Sequence, residues 1–105
     1  MSKPALAHIV YFWLKEGTTD EDKKAFEAGL EQLGKIPLIQ SFNWGVPAKA
    51  EKRDVVDDSF DYCINSFFES IENEAAYQID ADHHIFIDNH SHIWEKVIVY
   101  NNDVK

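Results

Sequence analysis

The chemistry-bearing side chains of this chain are concentrated in one stretch, Tyr77 to Lys96, written YQIDADHHIFIDNHSHIWEK. It holds four of the five histidines, His83, His84, His90 and His92, together with Asp80, Asp82, Asp88 and Trp94. Imidazole titrates near neutral pH and can accept a proton alpha to a carbonyl, so acid–base work is open to such a segment. Metal binding is a second possibility. Asp80 with His84, and His84 with Asp88, are spaced to share a helical face, and His90 and His92 are spaced to share a strand face; mixed His and carboxylate sets of this kind suit zinc or nickel. Solvated acidic surface is the plain alternative. Cys63 is the only cysteine, so no internal disulfide can form, and its apolar surroundings mark it as a small buried hydrophobe rather than a nucleophile.

Which of these side chains meet depends on the elements that carry them. At 105 residues the chain can form one domain with a modest core. Its seven Phe, four Tyr and three Trp are those of a folded protein rather than a disordered one. A net charge of −9 and a pI near 4.8 argue against nucleic acid, whose phosphates require concentrated Lys and Arg, and against an anionic membrane surface. The apolar run Ala5 to Leu14 follows Lys3 as in a signal peptide, but it contains His8, lacks a small-residue cleavage site and is too short to span a bilayer. A cytoplasmic protein is expected.

That run is rich in Val, Ile and aromatics and reads as a strand with Leu6, His8, Val10, Phe12 and Leu14 on one face and Ala5, Ala7, Ile9, Tyr11 and Trp13 on the other. Both faces are apolar, which predicts a central strand. Thr18 or Thr19 can cap a helix opened by Asp20, Glu21 and Asp22, with Phe26, Leu30 and Leu33 as its buried stripe and Gly34 and Pro37 as its end. Leu38 to Pro47 reads as a second strand, confined to an edge because Pro47 cannot donate to a ladder. Lys49 to Asp58 is a charged connection, long for a hairpin. Ser59 to Phe68 is a third strand with apolar residues on both faces. Glu69 to Ile79 is expected to be helical, capped by Ser70, with Ile71, Ala75, Gln78 and Ile79 facing inward. The histidine-rich segment after it reads as turn-rich, Ile93 to Tyr100 as a fourth strand, and Asn101 to Lys105 as a polar tail.

The order β-α-β-β-α-β predicts an α+β, ferredoxin-like split βαβ sandwich: a four-stranded antiparallel sheet with both helices on one face. The other face would be left bare and apolar. A patch of that kind marks an interface, and a second copy packing sheet against sheet is the economical cover, so a homodimer is expected.

The chain also resembles the stress-responsive dimeric α/β barrel (Dabb) family over nearly its whole length, and 1–105 is expected to form a single such domain. The resemblance rests on HIVYFWLKEGT at the first strand, Asp61-Tyr62, the run FFES at Phe67 to Ser70, and WEKVIVY at Trp94 to Tyr100. It rests also on the family pattern Y-x-x-H-P-x-H-x-x-F, matched by Tyr77, His83 and Phe86. Asp80 and Ala81 stand where that pattern has His and Pro. The resemblance implies a pocket between sheet and helices. In it, as in a plant polyketide aldol cyclase of the family, His83 would be the general base and the Tyr77 hydroxyl the partner of a carbonyl oxygen. His8, Phe26, Tyr62, Phe86 and Trp94 would line the pocket, around a small, partly apolar ligand and without a cofactor or metal. Two other readings are a stress-associated structural or interaction protein whose apolar interior is only core, and a divalent-metal-binding protein. The histidines outside the pattern, His84, His90 and His92, are expected at the surface or an interface.

Overall fold

A computed structural model describes residues 3–105. Its elements are β1 (Leu6–Leu14), α1 (Asp20–Leu33), β2 (Ser41–Gly45), β3 (Tyr62–Phe68), α2 (Ile71–Gln78), α3 (Ala81–His90) and β4 (Trp94–Asp103), with a single 3-10 turn over Ser91–Ile93. The sheet is antiparallel in the order β2-β3-β1-β4, so the doubly apolar β1 is central and β2 lies at an edge, as the sequence requires. The fold is ferredoxin-like.

Alternation along β1 turns Leu6, His8, Val10, Phe12 and Leu14 under the helices, where all are buried, and leaves Ile9, Tyr11 and Trp13 half-buried on the open face. Thr19 caps α1 by accepting from the Asp22 amide at 3.1 Å, and three acids in the first turn face the positive end of the helix dipole. Phe26 and Leu30 of that helix are completely buried. They meet Phe12, Tyr62, Phe86 and Trp94 in an aromatic core, with the Phe26 ring 5.1 to 6.0 Å from those of Phe12, Tyr62, Phe86 and Trp94.

Several expectations need correction. The segment expected to be turn-rich forms α3, because Asp80 supplies an N-cap, its Oδ1 accepting from the Asp82 amide at 2.8 Å, and Phe86 gives the helix a buried anchor. The polar residues Asn101 to Asp103 continue β4 rather than forming a tail. The N-terminal half of β1 offers them an unpaired backbone edge, and a ladder needs backbone groups, not apolar side chains: His8 pairs with Asn101 and Leu6 with Asp103. On α2 the inward residue is Tyr77, whereas Ile71 and Ile79 are exposed, as are Ala75 and Gln78. A helix of eight residues contributes little more than one buried position, and the largest ring takes it.

β2 and β3 are also shorter than read, β3 beginning at Tyr62. Asp61 works as a fastener there: its amide donates to the Phe12 carbonyl at 2.8 Å and its Oδ2 accepts from the Leu14 amide at 2.8 Å, next to the register shift between Trp13 and Leu14. Cys63 is half-buried on the open face, not in the core.

Candidate functional site

Between the β1–β4 half of the sheet and the helices α2 and α3 lies a cavity of about 190 Å³. His8 and Val10 of β1 form its floor, Val97 and Val99 of β4 one side, and Tyr77, His83 and Phe86 the helical wall, with Trp94 beside them. The short link between α2 and α3 brings Tyr77 and His83 together. Their rings stack at 4.2 Å between centroids, tilted by 32°. His8 lies edge-on to Tyr77 at 6.1 Å.

Burial sets the protonation of this pair. It raises the Tyr77 pKa far above the usual phenol value, with Glu74 and Asp80 adding to the effect, so the hydroxyl keeps its proton at any physiological pH and acts as a donor. That hydroxyl makes no hydrogen bond to another described residue. Burial lowers the His83 pKa below 6.5, against the smaller opposing effect of the Gln78 carbonyl, so the ring is neutral at pH 7. His83 Nδ1 lies 3.4 Å from the Gln78 carbonyl oxygen. A carbonyl only accepts, so Nδ1 carries the proton in that contact and Nε2 keeps the lone pair a base needs. A neutral imidazole beside a protonated phenol can take a proton from a carbon acid and steady the resulting oxyanion.

The structure brings five of the seven candidate residues to this cavity: Tyr77, His83, His8, Phe86 and Trp94. Phe26 and Tyr62 do not border it. Phe26 is enclosed by the other aromatic rings, and Tyr62 turns its hydroxyl to donate to Glu27 Oε2 at 2.6 Å. Trp94 Nε1 is buried without a hydrogen-bond partner among the described residues, a cost of about 1–3 kcal/mol.

Sequence reasoning missed Glu74, Gln78 and Asn101. Asn101 Oδ1 is 2.6 Å from His8 Nδ1, Glu74 Oε2 is 4.0 Å from the same nitrogen, and Gln78 Nε2 donates to that Glu74 oxygen at 2.6 Å. Two signals could have found them: Glu74, Tyr77 and Gln78 have the spacing of one helix face, and Asn101 continues the alternation of Val97 and Val99. Of the other histidines, His84 and His92 are exposed, as expected. His90 is half-buried, its ring packed on Phe26 and Phe86 at 5.7 and 5.3 Å. Asp80 is occupied in capping α3, and no three His, Cys, Asp or Glu side chains among the described residues converge as a metal ion would require. Among them, too, no helix is long and apolar enough to cross a membrane.

Residues 6–104 match the Dabb family, described as the stress responsive A/B barrel domain. The chain is 22% identical over 98 residues to olivetolic acid cyclase of Cannabis sativa, covering 92% of this chain and 94% of that one. In three dimensions it is similar to the hydroxynitrile lyase of Passiflora edulis, with a TM-score of 0.80 at 21% identity over 98% and 96% of the two chains. It is similar also to a dimeric ferredoxin-like protein of unknown function from Thermobifida fusca, with a TM-score of 0.78 at 15% identity over 96% and 92%.

Proposed function

Because the chain belongs to the stress responsive A/B barrel domain family, we propose that it is a homodimeric, cytoplasmic protein whose cavity takes a small, partly apolar carbonyl compound and moves a proton on it in a cofactor-independent, aldol-type step. The observation that carries this reading is the stacked Tyr77–His83 pair on the wall of a mainly apolar cavity. Two relatives are a cyclase and a lyase, which supports an enzymatic use of such a pocket.

The step runs as follows. His83 Nε2 takes a proton from the carbon next to the carbonyl, and the C–H electron pair becomes an enolate. Tyr77 donates a hydrogen bond to its oxygen. The enolate carbon then attacks a second carbonyl of the same molecule, forming one C–C bond, and the resulting alkoxide recovers the proton from the imidazolium. Removing one donor of this kind costs roughly 10²- to 10³-fold in turnover. A thermal-shift screen of aromatic and polyketide-like acids should find binders that raise the melting temperature. For a compound that is turned over, Tyr77→Phe should lower kcat by about 10²-fold and His83→Ala by at least as much, with melting temperatures close to wild type. Unchanged turnover in His83→Ala would reject the base assignment.

A second reading, a stress-associated structural or interaction protein, is supported by the apolar open face of the sheet, which is independent of the cavity. Failure of every compound in the screen to shift the melting temperature would favour it.

A further inference from the structure

His8 sits on the cavity floor with its Nδ1 edge turned toward two groups at once, Asn101 Oδ1 at 2.6 Å and Glu74 Oε2 at 4.0 Å. The side chains of His8 and Glu74 are 8% and 15% exposed, so both are largely shielded from water. The Asn101 amide cannot choose the His8 tautomer alone. Its oxygen accepts and its nitrogen donates, and a half-turn of the amide exchanges the two at no cost in shape. Glu74 differs, because a carboxylate has acceptor oxygens and no proton to give. It is held in place by Gln78, whose Nε2 donates to the same oxygen, Oε2, that faces His8.

We infer that Glu74 is a positioning residue: it selects the His8 tautomer with the proton on Nδ1 and so leaves the Nε2 lone pair as a hydrogen-bond acceptor at the cavity. With an acceptor close to Nδ1, a proton there is stabilised, and the Asn101 amide settles with its oxygen toward the ring. The edge of His8 carrying Nε2 makes no hydrogen bond to a described residue and is the edge left for the cavity that the ring lines. The pocket then offers two complementary groups, the donor hydroxyl of Tyr77 and the acceptor nitrogen of His8, whose rings lie 6.1 Å apart. A ligand that satisfies both carries a carbonyl and, a few bonds away, a hydroxyl or enol proton. The inference rests on reading this cavity as the working site, but its test does not depend on any turnover.

The experiment is long-range 1H–15N correlation NMR of the histidine rings, recorded where His8 is neutral. Wild-type protein should show Nδ1 protonated and Nε2 bare. In Glu74→Gln every neighbour of Nδ1 is an amide able to donate or accept, and the two tautomers should both be populated. Adding Asn101→Asp to Glu74→Gln restores an acceptor-only group beside the ring and should return the wild-type pattern. A wild-type ring protonated on Nε2, or a Glu74→Gln ring still wholly protonated on Nδ1, would overturn the inference. The wild-type spectrum decides the first point even if the variant does not fold. Loss of turnover in His83→Ala tests the catalytic reading separately, so failure of one is distinguishable from failure of the other.

Discussion

His83 is a weaker base than a free histidine because burial disfavours its charged form, and the same burial leaves a trace in stability. In the unfolded chain the ring has its ordinary pKa of 6.5, and in the fold it lies lower. Between the two values the unfolded state binds more protons, so stability is complete above pH 6.5 and falls as the pH drops through the folded value. His90, also depressed mainly by burial, acts in the same direction and window. Asp57 and Asp58, whose pKa values are lowered by their hydrogen bonds with Ser59 and Lys52, act further down, below about pH 4. Urea unfolding at pH 7.5 and 5.5 should therefore show a loss of stability toward the lower pH, and the loss should shrink in a His83→Gln, His90→Gln double variant. An unchanged pH slope in that variant would show that neither ring is held in its neutral form by the fold.

The position of His83 is set by α3, and α3 is seated on α1 by a close approach at one glycine. A methyl group at Gly29 would lie 2.3 Å from His90 Nε2, so the helices can come this near only while that position has no side chain. In an exposed helix Gly→Ala gains about 1 kcal/mol, whereas overpacking a filled site costs about 1–3 kcal/mol. Because His90 is wedged against Phe26 and Phe86 it cannot swing away without losing those contacts, and the cost should prevail. Gly29→Ala should lower the unfolding free energy by about 1 kcal/mol, while the same change made on a His90→Ala background should raise it; a gain in both backgrounds would refute the close approach. Element by element, the chain was legible where its pattern was two-valued: β1 with its two apolar faces and α1 with Phe26, Leu30 and Leu33 emerge in the structure as read, and β2 lies at an edge as expected, although it ends at Gly45 and Pro47 falls outside it. Legibility failed where tertiary partners decide. Nothing in Asn101 to Asp103 favours a strand until β1 presents its edge, and the mean polarity of Ala81 to His90 conceals a helix whose one buried residue is Phe86. At the site, the family pattern located Tyr77 and His83, but Glu74 and Asn101 meet at His8 only because β1, β4 and α2 converge there.

At the scale of the molecule the open sheet face remains to be covered. It carries Ile9, Tyr11, Trp13, Phe67 and Ile98, all half-buried, and Tyr100, 59% exposed, while Lys96 lies over the Trp13 ring at 4.6 Å. A chain with 19 acidic residues places none of them at the paired strand positions of this face, where Lys96, opposite Trp13, is the one charge, and Asp57 of the β2–β3 connection borders the face near Lys96. Excluding carboxylates from a surface is what an interface core requires, since an unpaired buried charge is costly. Two copies joined by these faces should sediment at twice the 12.1 kDa of one chain at micromolar concentration. Ile98→Glu, which sets a carboxylate in the middle of the face yet leaves the helix-covered core untouched, should reduce the species to 12.1 kDa without lowering its helical content. Salt gives an independent check on the driving force. Each copy carries a net charge of −9, so two protomers joined by this face would repel at long range and would be held by apolar burial at short range. Raising the ionic strength from about 0.05 to about 0.5 M screens the repulsion while leaving the burial intact, and the dimer should tighten. Dissociation at high salt would mean that charge pairs hold the copies together, and that the sheet face is not what joins them.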